Sequence, residues 1–243
     1  MRPGLGGSVL EVAGVHRFYR SGDDAEVTAL KDVSFTIEPG QFVAVVGQSG
    51  SGKSTLLNLM AGLENPDGGS VMVNGRRISH RTGTEQALWR GTSIGVLTQG
   101  SGLLDHLTVA GNVDLAAFMR RRARTSLRAR ELGLPATEMA SRAPTTFELL
   151  ERVGLTARAD ARPSTLSGGE TARANLAVAL AGAPAVLLAD EPTAEISRTE
   201  EQDVLILIDQ LRPPGGATVI VTHSDAVAGA ADRILRLERG VLQ

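Results

Sequence analysis

Nine consecutive residues, Gly47-Gln48-Ser49-Gly50-Ser51-Gly52-Lys53-Ser54-Thr55, carry the most specific chemistry in the chain. Gly47, Gly52, Lys53 and Ser54 satisfy the spacing G-x-x-x-x-G-K-[ST], in which the glycines let backbone N–H groups turn inward on phosphate oxygens. The apolar run Phe42 to Val46 precedes them and Leu56 to Met60 follows, which reads as buried strand, loop and helix. A helix that starts near Lys53 adds unpaired N–H groups and the positive end of its dipole. Lys53 is placed for the β- and γ-phosphates and the Ser54 hydroxyl for Mg²⁺, so a nucleoside triphosphate with Mg²⁺ is the expected ligand.

Other polar groups stand at the ends of apolar runs. Val186 to Ala189 leads into Asp190-Glu191-Pro192, Thr218 to Val221 into Thr222-His223, and Ile94 to Leu97 into Thr98-Gln99. In open α/β sheets ligands sit beyond the carboxyl ends of the strands, so Gly47, Gln99, Asp190 and His223 are expected around one crevice. Asp190 is the expected Mg²⁺ ligand, directly or through water, and Glu191 is placed to orient or deprotonate a water attacking the γ-phosphate. His223 is read either as a partner of the γ-phosphate or attacking water, or as a helix-capping or buried structural histidine. Leu166-Ser167-Gly168-Gly169-Glu170 has the capping-box spacing that starts a helix, and its two glycines equally suit a second phosphate contact. Tyr19, the only tyrosine, is either surface or core filler or a platform for a base.

These groups need a scaffold with buried parallel strands. The 243 residues suffice for one large α/β domain, alone or with a subdomain. Val9 to Val15 and Val27 to Ile37 alternate as antiparallel strands with one wet face, broken at Ser21 to Asp24. Asn74-Gly75 reads as a hairpin turn after Ser70 to Val73, and Ile234 to Leu237 as a last strand that turns at Gly240. Leu103 to Leu155 is Arg/Ala/Leu-rich with helical periodicity, expected as an inserted helical subdomain at about 101–160. Its basic run from Arg120 to Arg130 reads as a solvated face, or alternatively as a surface for lipid headgroups or an acidic partner. The net charge of −2 and 3% aromatic content give no footprint for nucleic acid. Cysteine is absent, which suits a reducing compartment, and lysine occurs only at Lys31 and Lys53. No apolar run approaches the roughly 20 residues that cross a bilayer, and Met1 to Ser8 does not read as a secretory signal; residues 1–7 are expected to be disordered.

Taken together, the motifs resemble the ATP-binding cassette (ABC) ATPases over nearly the whole chain. The order matches: an aromatic A-loop position at Tyr19, Walker A from Gly47 to Thr55, a Q-loop glutamine at Gln99, the signature Leu166-Ser167-Gly168-Gly169, Walker B through Asp190, the catalytic-type Glu191 and the switch histidine His223. Leu103-Leu104, Leu107-Thr108 and Asn112-Val113 are most similar to the subgroup serving lipoprotein release, macrolide and peptide export, and cell division. The resemblance implies an α/β P-loop NTPase core of mostly parallel sheet flanked by helices, with an antiparallel β layer, over 8–243. It implies ATP hydrolysis with Mg²⁺, with Gln99 linking the metal and attacking water to the helical subdomain. It further implies head-to-tail pairing with a second ABC ATPase subunit, identical or different, so that Ser167, Gly168 and Gly169 serve the partner's ATP. An integral membrane permease would hold such a subunit at the cytoplasmic face of the cell membrane. A soluble ABC ATPase of repair or translation and a hydrolysis-poor regulatory subunit are the alternatives. Departures from the pattern include Ser197 at the D-loop aspartate, Ala194 for a usual glycine, Thr98 for a common aromatic, Asp105 for a common proline and Glu170 for a frequent glutamine. They imply unequal turnover at two sites, as in a heterodimer, or a permease that tolerates slow hydrolysis.

Overall fold

Two sheets divide the strands by the kind of face each presents. In the computed structural model, which describes residues 7–20, 26–98, 100, 102–126, 129, 131, 143–194 and 196–243, the chain runs β1 (Leu10–Arg20), β2 (Glu26–Ile37), β3 (Phe42–Val46), α1 (Lys53–Met60), β4 (Gly68–Val73), β5 (Arg76–Arg77), α2 (Gly83–Ser93) and β6 (Ile94–Leu97). It continues with α3 (Val109–Thr125), α4 (Thr146–Arg152), α5 (Gly168–Leu180), β7 (Val186–Asp190), α6 (Arg198–Gln210), β8 (Ala217–Thr222), α7 (Asp225–Ala230), β9 (Arg233–Glu238) and β10 (Val241–Leu242). The order β2-β1-β4-β5 forms an antiparallel sheet. The order β10-β9-β3-β8-β7-β6 forms the second, parallel except for the terminal β9-β10 hairpin.

Burial explains the split. On β2, Val33, Phe35 and Ile37 are buried while Asp32, Ser34 and Thr36 between them are exposed, the alternation of a sheet wet on one side. β8 is buried at every position and β3 and β7 at all but the last, as strands covered on both faces must be. Alternate residues then serve opposite cores. Val43, Val45, Val186, Leu188, Val219 and Val221 pack with α1 and the antiparallel sheet. Phe42, Leu187, Ala189 and Ile220 face the other way, into a core shared by α3, α4, α5 and α6.

α2 was not expected from periodicity, because Gly83, Gly91, Thr92 and Ser93 are weak helix formers. Its start is nevertheless encoded: Thr82 and Glu85 close a reciprocal capping box. The basic run also departs from a solvated face. Arg120 and Arg124 turn inward, where Arg120 donates to the carbonyls of Ile94 (2.8 Å) and Ala179 (3.2 Å), and Arg124 to those of Thr92 (2.9 Å) and Ala183 (2.9 Å). These are carbonyls at or just beyond the C-terminal ends of α2 and α5, where orphan acceptors and the negative dipole end favour a cation. Burial pushes Arg120 down to about 10, with Arg124 as the lesser cause, so it remains protonated at neutral pH. The expectations for Ser21 to Asp24, for Gln99 and for most of 127–142 lie outside the described residues, as does that for 1–7 apart from Gly7.

Candidate nucleotide site

The loop between β3 and α1 is shaped by two close approaches. A β-carbon on Gly47 would lie 2.2 Å from the carbonyl oxygen of Leu237, and one on Gly52, at φ 103°, would lie 2.4 Å from that of Ala29. Only glycine fits either position. Gly52 caps α1 without a side-chain hydrogen bond and the first turn holds no acidic residue, so α1 itself supplies nothing to offset its positive end. Lys53 is buried and folds back over the loop, donating from Nζ to the carbonyls of Gly47 (2.8 Å) and Gln48 (3.2 Å). Ser51 Oγ is buried beside Gly47 with no hydrogen-bond partner, an orphan that an anionic oxygen suits. Gln48, Ser49, Gly50 and Ser54 are exposed and Thr55 is half-buried. A cleft of about 990 Å³ borders the loop from Gly47 to Ser51 and reaches His223 and Arg236.

Strand order brings the carboxylates to the same edge. β8 lies between β3 and β7, pairing Val46 with Thr222 on one side and Val221 with Asp190 on the other. Burial pushes the Asp190 carboxyl up and the Glu191 charge adds to this, while the Ser54 hydroxyl and the Lys53 charge oppose it. Glu191 sits at φ 45°, in the left-handed region rare for a residue with a side chain, and its N–H donates to Val221 O at 3.0 Å. Its carboxylate accepts from Thr222 Oγ1 (3.0 Å) and His223 N (3.3 Å), and its Oε1 lies 2.8 Å from His223 Nδ1. His223 is therefore paired with Glu191 rather than buried or capping a helix; its side chain is 70% exposed.

Among the described residues no three His, Asp or Glu side chains form a metal cluster. Ser54 and Asp190 are hard oxygen donors in contact with each other, a partial set that suits Mg²⁺ when substrate phosphates supply further ligands.

At the head of α5 the capping box is complete: Ser167 Oγ accepts from Glu170 N (3.2 Å) and Glu170 accepts from Ser167 N (2.9 Å). Arg158 grips Glu170 in a bidentate pair (2.9 and 3.2 Å), which, with the Ser167 bond, holds its carboxyl down to about 2. The negative charge that Glu170 brings to this helix end is thus already matched by a cation. Ser167 and Gly168 are exposed, whereas Gly169 is buried and its N–H helps to hold the Glu200 carboxyl down. A β-carbon on Gly169 would lie 2.5 Å from Glu200 Oε1. Glu200 also closes a capping box with Ser197, so the D-loop departure serves as the N-cap of α6.

Sequence reasoning missed Glu200, Arg158 and Glu201. Glu201 Oε1 accepts from Thr193 Oγ1 (3.0 Å) and Ser224 Oγ (2.7 Å), tying together the loops that follow Glu191 and His223. Its signal was a carboxylate on the stripe that continues with Val204, Leu205 and Ile208, all buried. Tyr19 is half-buried and does not line the large cleft; it connects to α1 through Glu64 and Asn58. Gln99 lies outside the described residues, although its neighbours Thr98 and Gly100 line a smaller pocket of about 240 Å³ with Gly168, Asn175 and Glu191.

A glycine-rich phosphate loop between a buried parallel strand and a helix, with carboxylates at the ends of nearby strands, defines a P-loop nucleoside-triphosphate-binding α/β protein. The family model described as ABC transporter matches residues 30–194, and the chain belongs to that family. It is 39% identical over 235 residues to the macrolide export ATP-binding/permease protein MacB of Rhodopseudomonas palustris (strain BisB18), covering 97% of this chain and 33% of the relative. Its identity to the MacB of Salmonella typhimurium is 38% over 233 residues, covering 96% of this chain and 34% of that protein. The chain thus spans about a third of the length of these curated relatives. Among solved structures it is similar to the dimeric ATP-binding cassette MJ0796 in a post-hydrolysis state bound to ADP and Pi, with TM-score 0.80, 30% identity and 96% coverage of both chains. A second dimeric structure of MJ0796, a bacterial ABC transporter cassette, gives TM-score 0.78 at 29% identity and 96% coverage of both chains. The chain is an ABC ATPase cassette, homologous to export ATPases of the MacB type.

Proposed function

We propose that this chain, as one ABC ATPase domain over 8–243 with a helical subdomain at about 101–160, hydrolyses MgATP in a pair of cassettes and drives an exporter-like membrane permease. The observation that carries the reading is the shared edge of β3, β8 and β7, where Lys53, the Ser54–Asp190 pair and the Glu191–His223 pair converge. In this reading Lys53 leaves its loop carbonyls for the β- and γ-phosphates, and the backbone N–H groups from Gln48 to Thr55 hold the remaining phosphate oxygens. Ser54, Asp190 and Gln99 would hold Mg²⁺, which neutralises charge on the phosphates. Glu191 takes the proton of the attacking water, while Thr222 and His223, bonded to its carboxylate, fix its orientation.

Tyr19 stacks on the base. Ser167, Gly168 and Gly169 contact the ATP held by the second cassette, identical or different, and for this Glu200 yields the Gly169 N–H to a phosphate oxygen. That internal occupant favours slow closure and keeps a hydrolysis-poor regulatory subunit as the second reading. The permease contact falls on exposed apolar side chains, Leu104 in the loop before α3, Leu115, Phe118 and Met119 on α3 and Phe147 on α4, which water alone does not suit. No described helix is long and apolar enough to cross a membrane; in this reading the permease supplies the attachment at the cytoplasmic face. Steady-state phosphate release by Glu191→Gln tests the assignment: a general base predicts a loss of at least about 100-fold, near 3 kcal/mol of barrier, and unchanged turnover refutes it.

A further inference from the structure

The end of β1 is joined to the phosphate-loop helix by a chain of polar contacts that the reaction itself does not use. Tyr19 is held at two points: the Arg17 guanidinium lies 4.7 Å from the ring centroid, and the phenol O–H donates to Glu64 Oε2 at 2.7 Å. The same Glu64 oxygen pairs with Arg17 at 3.1 Å. Its other oxygen, Oε1, accepts from Asn58 Nδ2 at 2.9 Å, and Asn58 belongs to α1, whose first residue is Lys53. Glu64 lies in the turn that leaves α1, held by a bond from Leu63 N to Asn58 O at 2.9 Å. Asp67 completes the tie by accepting from Phe18 N at 2.7 Å while its own N–H donates to His16 O at 2.9 Å. The Glu64 side chain is 27% exposed and that of Arg17 is 23% exposed, so the cluster is partly shielded from water.

We propose that Glu64 is a positioning residue for nucleobase binding, fastening the Tyr19 ring to α1 through Asn58 so that its plane is set relative to the phosphate cradle. The proposal rests on the nucleotide reading above. Arg17 occupies one face of the ring, so a base would stack on the other. Stacking on an aromatic ring is strong only if little freedom is lost when the base arrives, and a ring tied through its hydroxyl has already lost that freedom. Three acceptances by one ionised carboxylate, from Tyr19, Arg17 and Asn58, give a stiffer tie than one neutral hydrogen bond. Hydrogen bonding from Tyr19 and Asn58 and the Arg17 charge outweigh partial burial and hold the Glu64 carboxyl below the usual range. The tie is therefore ionised at neutral pH.

Equilibrium binding of MgATP and of inorganic tripolyphosphate with Mg²⁺ separates the base from the phosphates. In the intact chain, Glu64→Ala and Tyr19→Phe are each expected to weaken MgATP by about 3- to 10-fold while tripolyphosphate stays within about twofold. The double variant is expected to match either single one, because both remove the same tie. Glu64→Gln, which keeps an acceptor but not all the bonds, falls between wild type and Glu64→Ala. Tyr19→Ala, which removes the platform, lowers the ATP preference furthest. Glu64→Ala overturns the proposal if it weakens both ligands equally, which marks a structural role in α1, or if it leaves ATP unchanged while Tyr19→Ala weakens it. An unchanged ATP preference in Tyr19→Ala removes the platform and the proposal together. Wild type that binds neither ligand refutes the nucleotide reading itself.

Discussion

Asp190, the proposed Mg²⁺ ligand, illustrates at the scale of one residue how a half-buried charge costs stability. The carboxylate is half-buried at the end of an otherwise buried strand, and desolvation raises its pKa against the opposing pull of Ser54 and Lys53. A raised folded pKa means that the group's contribution to stability is complete below its unfolded pKa and is lost as pH rises through the folded value. At neutral pH the ionised Asp190 therefore opposes folding of the nucleotide-free chain. Asp190→Asn keeps the shape and a hydrogen-bonding partner for Ser54 while removing the charge. Thermal unfolding without nucleotide or Mg²⁺ should show a higher Tm for the variant at pH 7, with about 2–4 °C for each kcal/mol in a chain of this size, and a smaller gain toward pH 4. The same variant should lose Mg²⁺-dependent hydrolysis. The strain at Glu191, φ 45°, belongs to the same scale, because its bond to Val221 O and its acceptance from Thr222 and His223 hold a conformation the residue would not choose alone.

At the scale of elements, local signals were legible and long-range partners were not. Buried runs with no alternation announce β3, β7 and β8, and the Ser167–Glu170 spacing announces α5, because each rests on residues a few positions apart. Gly47 and Gly52 were likewise legible as loop glycines, although the carbonyls that demand them, of Leu237 and Ala29, lie far along the chain. The pairing of Arg158 with Glu170, of Glu200 with Gly169 and of Glu201 with Thr193 and Ser224 depends on how helices and loops pack, and nothing in the local pattern chooses those partners. Arg120 shows the reverse error: arginine density read as a wet face conceals a cation that caps two helix ends. Arg120→Ala removes the guanidinium donors from the carbonyls of Ile94 and Ala179 and opens space beside Gly182. A loss of about 2–4 kcal/mol in urea unfolding is expected, against a change within about 0.5 kcal/mol for the exposed neighbour Arg121→Ala.

At the scale of the whole molecule, the phosphate loop and the head of α5 are two incomplete halves. The loop offers Lys53, an uncapped helix end and the orphan Ser51 Oγ, whereas Ser167 and Gly168 are exposed at the other helix end with no phosphate loop facing them within the described chain. In the proposed head-to-tail pairing of two cassettes, unlike halves would join into two composite sites, each with a Walker loop from one chain and a signature from the other. In that pairing Glu200, itself held by Ser197, would yield the Gly169 N–H to the partner's phosphate. Mixing two inactive variants tests this sharing most directly. Lys53→Ala disables only the Walker half and Ser167→Phe only the signature half, so each alone should hydrolyse ATP at background rate. Phosphate release from their equimolar mixture should recover well above either variant, because one composite site in the mixed pair keeps both intact halves. Recovery no greater than the separate variants, with mixed pairs demonstrated by cross-linking, would contradict the shared site.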